Sequence, residues 1–193
     1  MWALSCSLSV WNIIFGGEIM EIRKGTKDDI DKVAALYDTL NDYLEGHINY
    51  PGWKKDIYPI REDAEKGIVE NNLFVFEKEG RIVGTVILNH EPEEAYAQAD
   101  WHNDFSYEDI LVIHTLAVHP EFLQQKIGKK LIDFALDYAK NRQMKAVRLD
   151  VHEKNIPAIH LYENAGFEYI DKVDLGYGMH GLDWFKLYQF VCL

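Results

Sequence analysis

The sequence predicts a single α/β domain, equally described as α+β, in which helices flank a mixed, mostly antiparallel central sheet. The first observation is that segments of β-forming residues alternate along the chain with segments whose apolar residues recur at helical spacing. The second is the length of 193 residues, which fits one ordinary domain with one core. The third is a composition of 48% hydrophobic and 27% charged residues, which is typical of a globular protein.

Upstream of residue 90, the predicted order is strand, helix, helix and hairpin. Residues 21–24 are predicted to form a short strand, and Thr26 follows as the N-cap of a helix with Asp28 and Asp29 in its first turn. The apolar residues of that helix share one face: Ile30, Val33, Ala34, Tyr37 and Leu40. The second helix and the two strands of the hairpin are predicted at residues 61–70, 73–77 and 82–88.

The second half of the chain alternates strands and helices after a polar stretch at residues 91–107. Residues 110–118 are an apolar run interrupted only by His114 and Thr115, which predicts a central buried strand that ends before Pro120. A helix, a strand, a helix that ends at Gly166 and two closing strands follow. Their predicted bounds are residues 127–141, 146–151, 155–165, 167–172 and 182–191.

Charge and cysteine content argue against several classes of protein. The formal net charge of -12 repels phosphates, so nucleic acid is not an expected partner, and it favours a cationic substrate, although acidity also serves solubility alone. Cys6 and Cys192 lie near opposite ends without metal-type spacing, which fits a reducing, cytoplasmic compartment. His119 and His152 have no third ligand at a convincing spacing, so no metal is expected.

Residues 1–19 are interpreted as an N-terminal extension, and residues 20–193 as the domain. The extension has no Lys or Arg and is interrupted by polar residues, so neither a signal peptide nor a membrane anchor is expected. Two interpretations stay open. Codons for Gly16, Gly17 and Glu18 can spell a ribosome-binding signal, which makes Met20 the natural start and the extension not native. Alternatively, the extension packs on the domain.

Aromatic residues are candidates for the wall of a substrate site. Residues 46–60 contain several Gly and Pro residues and more aromatic side chains than a plain connector needs, including Trp53 and Tyr58. Trp101 follows in the polar stretch. We predict that these three side chains bind substrate, with packing in the core as the alternative.

Two motifs in the second half carry the strongest functional signal. A strand-to-helix junction reads Leu-Ala-Val-His-Pro at residues 116–120 and Leu-Gln-Gln-Lys-Ile-Gly-Lys-Lys-Leu at residues 123–131. Such a junction presents backbone N–H groups and a helix N-terminus, which together bind phosphate. The second motif, residues 155–167, has Pro157 near the start of a helix and Gly166 at its end.

These motifs resemble the acyl-CoA core of bacterial-type GNAT acetyltransferases, and the element order matches that fold over residues 20–193. The resemblance implies acetyl-CoA as co-substrate, an amine as acceptor, and Tyr162 as the general acid that protonates the leaving thiolate. The family pattern falls on Leu123, Lys126 and Gly128, of which only Gly128 agrees; a backbone with φ > 0 at Lys126 costs about 1 kcal/mol or more. The implied CoA contacts are Leu116, Ala117, Val118, Gln124, Gln125, Lys126, Ile127, Gly128, Lys129 and Asn155.

A base is also needed, because an acceptor amine must lose a proton before it attacks. By strand alternation His114 shares a face with Leu116 and Val118, and imidazole suits a base near pH 7. The strand is similar to that of arylalkylamine N-acetyltransferases, in which a His at this position belongs to the proton path, although Val112 replaces their second His. A structural role for His114 is one alternative. Other candidate bases, acting through water, are Glu108, Asp109 and Asp100.

We therefore predict an N-acetyltransferase that moves an acetyl group directly from acetyl-CoA to a primary amine of a small-molecule or peptide acceptor, without a covalent enzyme intermediate. A non-catalytic acyl-CoA-binding or sensing module with the same fold is the alternative, favoured by Val112, Leu123 and Lys126 and disfavoured by Tyr162. Acylation of a protein or aminoacyl-tRNA amine is a third interpretation, with RNA disfavoured by charge. Many family members dimerise through late strands, and residues 182–193 leave a homodimer open.

Overall fold

The computed structural model describes residues 10–15 and 18–192. The strands are β1 (Val10–Phe15), β2 (Glu18–Lys24), β3 (Leu73–Lys78), β4 (Arg81–Asn89), β5 (Ile110–Val118), β6 (Ala146–His152), β7 (Glu168–Val173) and β8 (Phe185–Val191). The α-helices are α1 (Ile30–Glu45), α2 (Arg61–Val69), α3 (Ile127–Asn141) and α4 (Ile156–Asn164). None of these helices is long and apolar enough to cross a membrane.

The strands form one eight-stranded sheet in the order β1-β2-β3-β4-β5-β6-β8-β7. Strands β5 and β6 run parallel, and the other neighbouring pairs run antiparallel. Helix α3 connects the parallel pair, since parallel neighbours need a long crossover. The predicted fold class, a mixed and mostly antiparallel sheet flanked by helices, is confirmed.

Different helices cover the two faces of the sheet. On one face, Leu131 of α3 and Tyr162 of α4 pack in a cluster with Ile113 of β5. On the opposite face, Leu36 of α1 packs in a cluster with Ala117 of β5. Burial of each large apolar side chain contributes about 1.5–3 kcal/mol, so both clusters anchor β5 at the centre of the fold. We refer to the two sides as the α3–α4 face and the α1–α2 face.

The parallel strands β5 and β6 separate partway along their length. Their pairing stops at Ile113 opposite Leu149, although β5 continues to Val118 and β6 to His152. Beyond that point, the backbone groups that each strand turns towards the other have no ladder partner. We call this opening the β5–β6 gap. A ligand backbone is able to pair with strand edges exposed in this way.

A β-bulge interrupts β5 at the start of the β5–β6 gap. Thr115 adopts φ +43°, and the register with β4 shifts next to Ile87. One extra residue in a strand reverses the face taken by the side chains that follow it. Accordingly, Leu116 packs on the α3–α4 face, whereas Ile87, the partner of His114, packs on the α1–α2 face.

Two predicted elements differ in their bounds. Thr26 is an N-cap, as predicted, but it caps a 3₁₀ turn, Lys27–Asp29, and α1 starts only after that turn; the hydroxyl of Thr26 donates to the Asp29 carboxylate at 2.8 Å. The closing strand begins at Phe185 rather than at residue 182. Leu182 instead packs so closely over Gly52 that a Cβ at residue 52 would collide with its side chain, so Leu182 belongs to a loop contact.

Part of the predicted N-terminal extension belongs to the sheet. Strand β1 pairs with β2 from Val10 opposite Arg23 to Phe15 opposite Glu18. Residues 1–9, including Cys6, and residues 16–17 lie outside the described residues. The natural start at Met20 and the division of the chain at residue 20 stay predictions.

Candidate active site

A cavity of about 1130 Å³ lies at the β5–β6 gap and reaches both faces of the sheet. On the α3–α4 face its wall includes Leu116, Val118, Lys126, Gly128, Asn155 and Tyr162. On the α1–α2 face its wall includes Glu93, His114, Asp150, His152 and the aromatic residues Tyr50, Trp53 and Tyr58. The cavity therefore joins the N-terminus of α3 to residues 46–60 through the gap.

The N-terminus of α3 forms an anion-binding end of this cavity. The first hydrogen bond of the helix is donated by Lys130 to the carbonyl of Lys126 at 3.0 Å. The N–H groups of residues 127–129 have no partner in the described part of the chain. Gly128 permits close packing of α3 on α4, because a Cβ there would lie 3.3 Å from Leu161. Free N–H groups at the positive end of a helix dipole suit a phosphate.

Lys126 holds a left-handed conformation directly before α3, with φ +61° and ψ +20°. The strain expected for a side chain that replaces glycine is thus present. The ammonium group of Lys126 has no ion-pair partner among the residues described, whereas that of Lys129 lies 2.6 Å from Asp133. Lys126 is therefore the lysine available to an anion at this end.

Tyr162 projects from α4 into the cavity beside the β5–β6 gap. It is 7% exposed and packs against the rings of Phe167 and Tyr188, with centroids 6.0 and 6.5 Å away. Within residues 10–15 and 18–192 its hydroxyl has no hydrogen-bond partner. Burial, reinforced by the charge of Asp150, raises the pKa of Tyr162 well above its usual value. The phenol keeps its proton at neutral pH and is free to donate it.

Asp150 lies on the opposite face of the sheet from Tyr162. The unbroken pairing of β6 with β8 puts Asp150 on the α1–α2 face, whereas its neighbours Leu149 and Val151 belong to the α3–α4 face. The hydroxyl of Tyr96 donates to Asp150 Oδ1 at 2.8 Å. Burial raises the pKa of the Asp150 carboxyl, against the opposing effect of the Tyr96 hydrogen bond. A carboxylate in this environment is a good proton acceptor.

His114 lines the cavity, but the prediction that it shares a face with Leu116 and Val118 is wrong. The bulge at Thr115 turns Leu116 and Val118 to the α3–α4 face, whereas His114, which precedes the bulge, lies on the α1–α2 face, where it lowers the pKa of the Asp150 carboxyl. Its Nε2 lies 3.0 Å from the carbonyl oxygen of Glu91. Because a carbonyl only accepts, Nε2 donates this hydrogen bond, and Nδ1 has no hydrogen-bond partner among the described residues.

Comparison with known proteins agrees with this geometry. Residues 33–167 match the sequence profile described as the Acetyltransferase (GNAT) family. This stretch contains β5, the N-terminus of α3 and Tyr162. The chain belongs to the GNAT acetyltransferase family. The resemblance found from its two motifs is thereby confirmed.

Relatives of this GNAT acetyltransferase occur in archaea and bacteria. An uncharacterised N-acetyltransferase of Methanocaldococcus jannaschii is 30% identical over 170 residues, which span 85% of this chain and 66% of that protein. A streptothricin acetyltransferase from Escherichia coli is 31% identical over 151 residues, which span 71% of this chain and 76% of that protein. An acetyltransferase structure from Streptococcus agalactiae has a TM-score of 0.75 at 22% identity, with 94% and 99% coverage, and supports the fold.

Sequence reasoning missed the acidic group on the α1–α2 face of this GNAT site. Glu93 lines the cavity with Asp150, and its charge acts on Asp150, Tyr96 and Tyr177. A signal for Asp150 exists in the sequence. It is a carboxylate between Leu149 and Val151 in a strand predicted to be central. For Glu93 and Tyr96, which lie in an irregular connection, no sequence pattern indicates the site.

Residues 46–60 close the cavity on the α1–α2 face and contact both separated strands. The hydroxyl groups of Tyr58 and Thr115 share a short hydrogen bond at the β5 bulge. On the β6 side, His152 Nδ1 lies 3.3 Å from the carbonyl oxygen of Tyr50. Trp53 packs edge-on against Tyr58 with ring centroids 5.7 Å apart. Of the predicted substrate contacts, Trp53 and Tyr58 thus line the cavity, and Tyr58 also supports the bulge.

Replacement of Tyr58 tests whether its hydroxyl supports the bulge in β5. Tyr58→Phe keeps the ring and removes the hydrogen bond to Thr115, so the bulge loses one of its supports. We expect kcat to fall by about tenfold, with little change in the KM of the acceptor, because roughly 1.4 kcal/mol of positioning is lost. Steady-state kinetics with acetyl-CoA and a reactive amine measure both constants.

Thr115→Val removes the same hydrogen bond from its other end. The double variant Tyr58→Phe/Thr115→Val is expected to be no slower than the worse single variant, because both changes break one interaction. A rise in acceptor KM without a loss of kcat in Tyr58→Phe would instead assign its hydroxyl to acceptor binding.

The strained loop before α3 gives a separate prediction. Lys126→Gly is expected to raise the unfolding temperature relative to Lys126→Gln, because glycine relieves a left-handed backbone that costs about 1–2 kcal/mol for other residues. Both variants lose the ammonium group and are expected to bind CoA more weakly, with a smaller dependence on salt. Thermal denaturation and calorimetric CoA titration check the two effects. Equal stability of the two variants would contradict the strain argument.

The structure does not bring Trp101 to the cavity, so the prediction that it binds substrate is not supported. Trp101 is 7% exposed, its Nε1 donates to the carbonyl of Tyr96 at 2.9 Å, and the guanidinium of Arg148 stacks on its ring at 4.0 Å. Arg148 is buried and bonded to neutral partners, Gln189, Tyr107 and Asn103. The ring of Trp101 therefore serves to cover a buried cation.

The remaining predicted CoA contacts take different positions. The side chain of Ala117 is 1% exposed in the cluster under α1, so only its backbone is near the gap. Gln124 and Lys129 line the cavity, whereas Gln125 Nε2 donates to the Glu121 carbonyl at 3.3 Å outside it. Asn155 lines the cavity and also caps α4, accepting from the N–H of Ala158 at 3.3 Å.

The alternative bases named from the sequence lie away from the cavity. Asp109 pairs with Lys145 at 2.6 Å near the start of β5, and Asp100 is an exposed partner of His102. Glu108 belongs to the 3₁₀ turn before β5. Across the described ranges, no group of three or more His, Cys, Asp or Glu side chains is arranged to hold a metal ion.

Proposed function

We propose that this GNAT acetyltransferase transfers an acetyl group from acetyl-CoA to the primary amine of a small-molecule or peptide acceptor by direct attack. The observation that carries the proposal is the β5–β6 gap, with the free hydroxyl of Tyr162 on one face and the partly buried carboxylate of Asp150 on the other. A thioester carbonyl in the gap has an acid on one side and a base on the other. This arrangement allows general acid–base catalysis of amine acylation.

The groups around the gap suit acetyl-CoA as the donor. The free N–H groups of residues 127–129 and the ammonium of Lys126 fit its pyrophosphate. The unpaired edge of β5, with the backbone of Leu116 and Val118, binds the pantetheine arm as an added strand. A backbone N–H of this edge then polarises the thioester carbonyl and stabilises negative charge on its oxygen.

The proton transfers balance over the whole reaction. Asp150 takes a proton from the acceptor ammonium, and the neutral nitrogen attacks the carbonyl carbon. Tyr162 gives its proton to the sulfur as the C–S bond breaks, the acylated nitrogen releases its second proton to solvent, and the phenolate regains a proton from solvent. His114 lies on the same face as Asp150 and passes the acceptor proton from that carboxyl on to solvent. No covalent bond to the protein forms.

The test is thiol release from acetyl-CoA, with calorimetric CoA titration in parallel. The amine panel contains polyamines, arylalkylamines, amino acids, aminoglycosides and short peptides; the relative named streptothricin acetyltransferase supports including non-protein acceptors. Turnover with any amine supports the proposal. CoA binding without turnover favours a non-catalytic acyl-CoA-binding or sensing module. Absence of CoA binding would contradict both readings.

A further inference from the structure

The two ends of the cavity carry charges of opposite sign. At the N-terminus of α3 the wall contains Lys126 and Lys129, whereas on the α1–α2 face it contains Glu93 and Asp150. In the part of the chain that the structure describes, no Lys or Arg forms an ion pair with either carboxylate. The α1–α2 side of the cavity therefore presents two carboxylates that no lysine or arginine neutralises to whatever enters it.

The positive groups near these carboxylates are already engaged. Arg148 lies on the same face of β6 as Asp150, but its guanidinium donates to Gln189, Tyr107 and Asn103 and is buried. Among the described residues of the cavity wall, the lysines are Lys54, Lys126 and Lys129, and arginine is absent. Lys54 is exposed and donates to the carbonyl of His180 at 3.4 Å. A carboxylate on an acceptor would thus meet carboxylates without a guanidinium to bind it.

Aromatic rings form the rest of this side of the wall. Trp53 and Tyr58 pack edge to face, and Tyr50 and Tyr177 remain 37% and 40% exposed. Ring faces attract cations and accommodate apolar groups, whereas they offer nothing to a carboxylate. The same features that favour a cationic amine thus select against an amino acid.

We propose that the acceptor is a cationic amine with an apolar or aromatic body and no carboxylate next to the reacting nitrogen, selected by the carboxylates of Asp150 and Glu93. This inference rests on the proposed function, in which the cavity is the site of acetyl transfer, and it adds the chemical class of the acceptor. Free α-amino acids are excluded by repulsion from two carboxylates. Amines that correspond to decarboxylated amino acids are accepted.

Matched pairs of compounds test the charge requirement. Tryptamine is compared with tryptophan, and tyramine with tyrosine, first by calorimetric binding to the protein saturated with CoA and then by thiol release from acetyl-CoA. We expect the amine of at least one pair to bind about tenfold or more tightly than its carboxylated analogue, because one added repulsion of about 1.4 kcal/mol suffices. Equal or tighter binding of the amino acids, or no binding of either amine, would overturn the inference.

Glu93→Gln tests whether Glu93 in the cavity wall selects the acceptor. The matched control is Glu94→Gln, because Glu94 is an exposed neighbour outside the cavity wall. We expect Glu93→Gln to reduce the discrimination within each pair several-fold and Glu94→Gln to preserve it. Identical behaviour of the two variants would refute a role for Glu93. Selective amine binding without thiol release would remove the proposed transfer while leaving the acceptor class in place, so the two failures are distinguishable.

Discussion

Tyr162→Phe is expected to lower kcat by about 10²- to 10⁴-fold while leaving the affinity for CoA unchanged. The hydroxyl of Tyr162 has no hydrogen-bond partner in the described part of the chain, so its removal leaves no other buried polar group unpaired. The ring keeps its contacts with Phe167 and Tyr188, so the packing of α4 is preserved. The loss then falls on the departing thiolate, which no longer receives a proton.

The matched control is Tyr169→Phe, because Tyr169 is an exposed tyrosine of β7 that packs on Tyr188 outside the cavity. It is expected to retain full activity. Since the pKa of Tyr162 is raised well above its usual value, ionisation of this phenol does not limit the rate at neutral or mildly basic pH. An unchanged kcat in Tyr162→Phe would remove this residue from the mechanism.

Most of the fold follows from local patterns in the sequence. The apolar spacing of α1 and α3 and the strand runs of β3 to β6 are visible because each element buries a continuous face. Tyr162 and the N-terminus of α3 were found through motifs in which proline, glycine and spacing fix the local backbone. The strain at Lys126 is predicted for the same reason. The family pattern has glycine at this position, which is typical of a left-handed backbone.

The errors have a common physical origin in long-range contacts. A period of two predicts that His114 shares a face with Leu116 and Val118, but the bulge at Thr115 reverses that alternation. No glycine or proline in the sequence indicates the bulge. Trp101 was grouped with the site because it is aromatic, but Arg148, 47 positions later, determines its environment. Asp150 and Glu93 approach each other only after β6 and the connection before β5 are in place. Sequence patterns carry little information on such pairs.

Asp150→Asn is expected to lower kcat/KM by about 10²- to 10⁴-fold and, in the same variant, to raise the stability of the fold. The amide oxygen of Asn still accepts the hydrogen bond from Tyr96, so the site keeps its shape. However, an amide takes no proton from an ammonium ion. Because burial raises the pKa of Asp150, the ionised carboxylate is costly in the native state, and the neutral amide removes this cost.

The pH dependence of both effects follows from that raised pKa. Between the usual pKa of an aspartate and the raised value, the native state binds more protons than the unfolded chain, so the penalty from Asp150 grows as pH rises and is complete above the raised value. The stability difference between Asp150→Asn and the parent is therefore expected to be largest above the raised pKa and to vanish in acid. In the parent, kcat/KM is expected to fall as acid protonates Asp150.

Asp109→Asn is the control, because it removes a surface carboxylate paired with Lys145 and leaves the cavity untouched. Thermal denaturation between pH 4 and 8 and pH profiles of kcat/KM measure the predicted changes. If Asp150→Asn stayed active while His114→Gln lost activity, the base would be His114, which lies on the same face with a free Nδ1. Loss of activity in Asp150→Asn, accompanied by higher stability, would show that the Asp150 carboxylate lowers the stability of the fold and is nevertheless needed for the reaction.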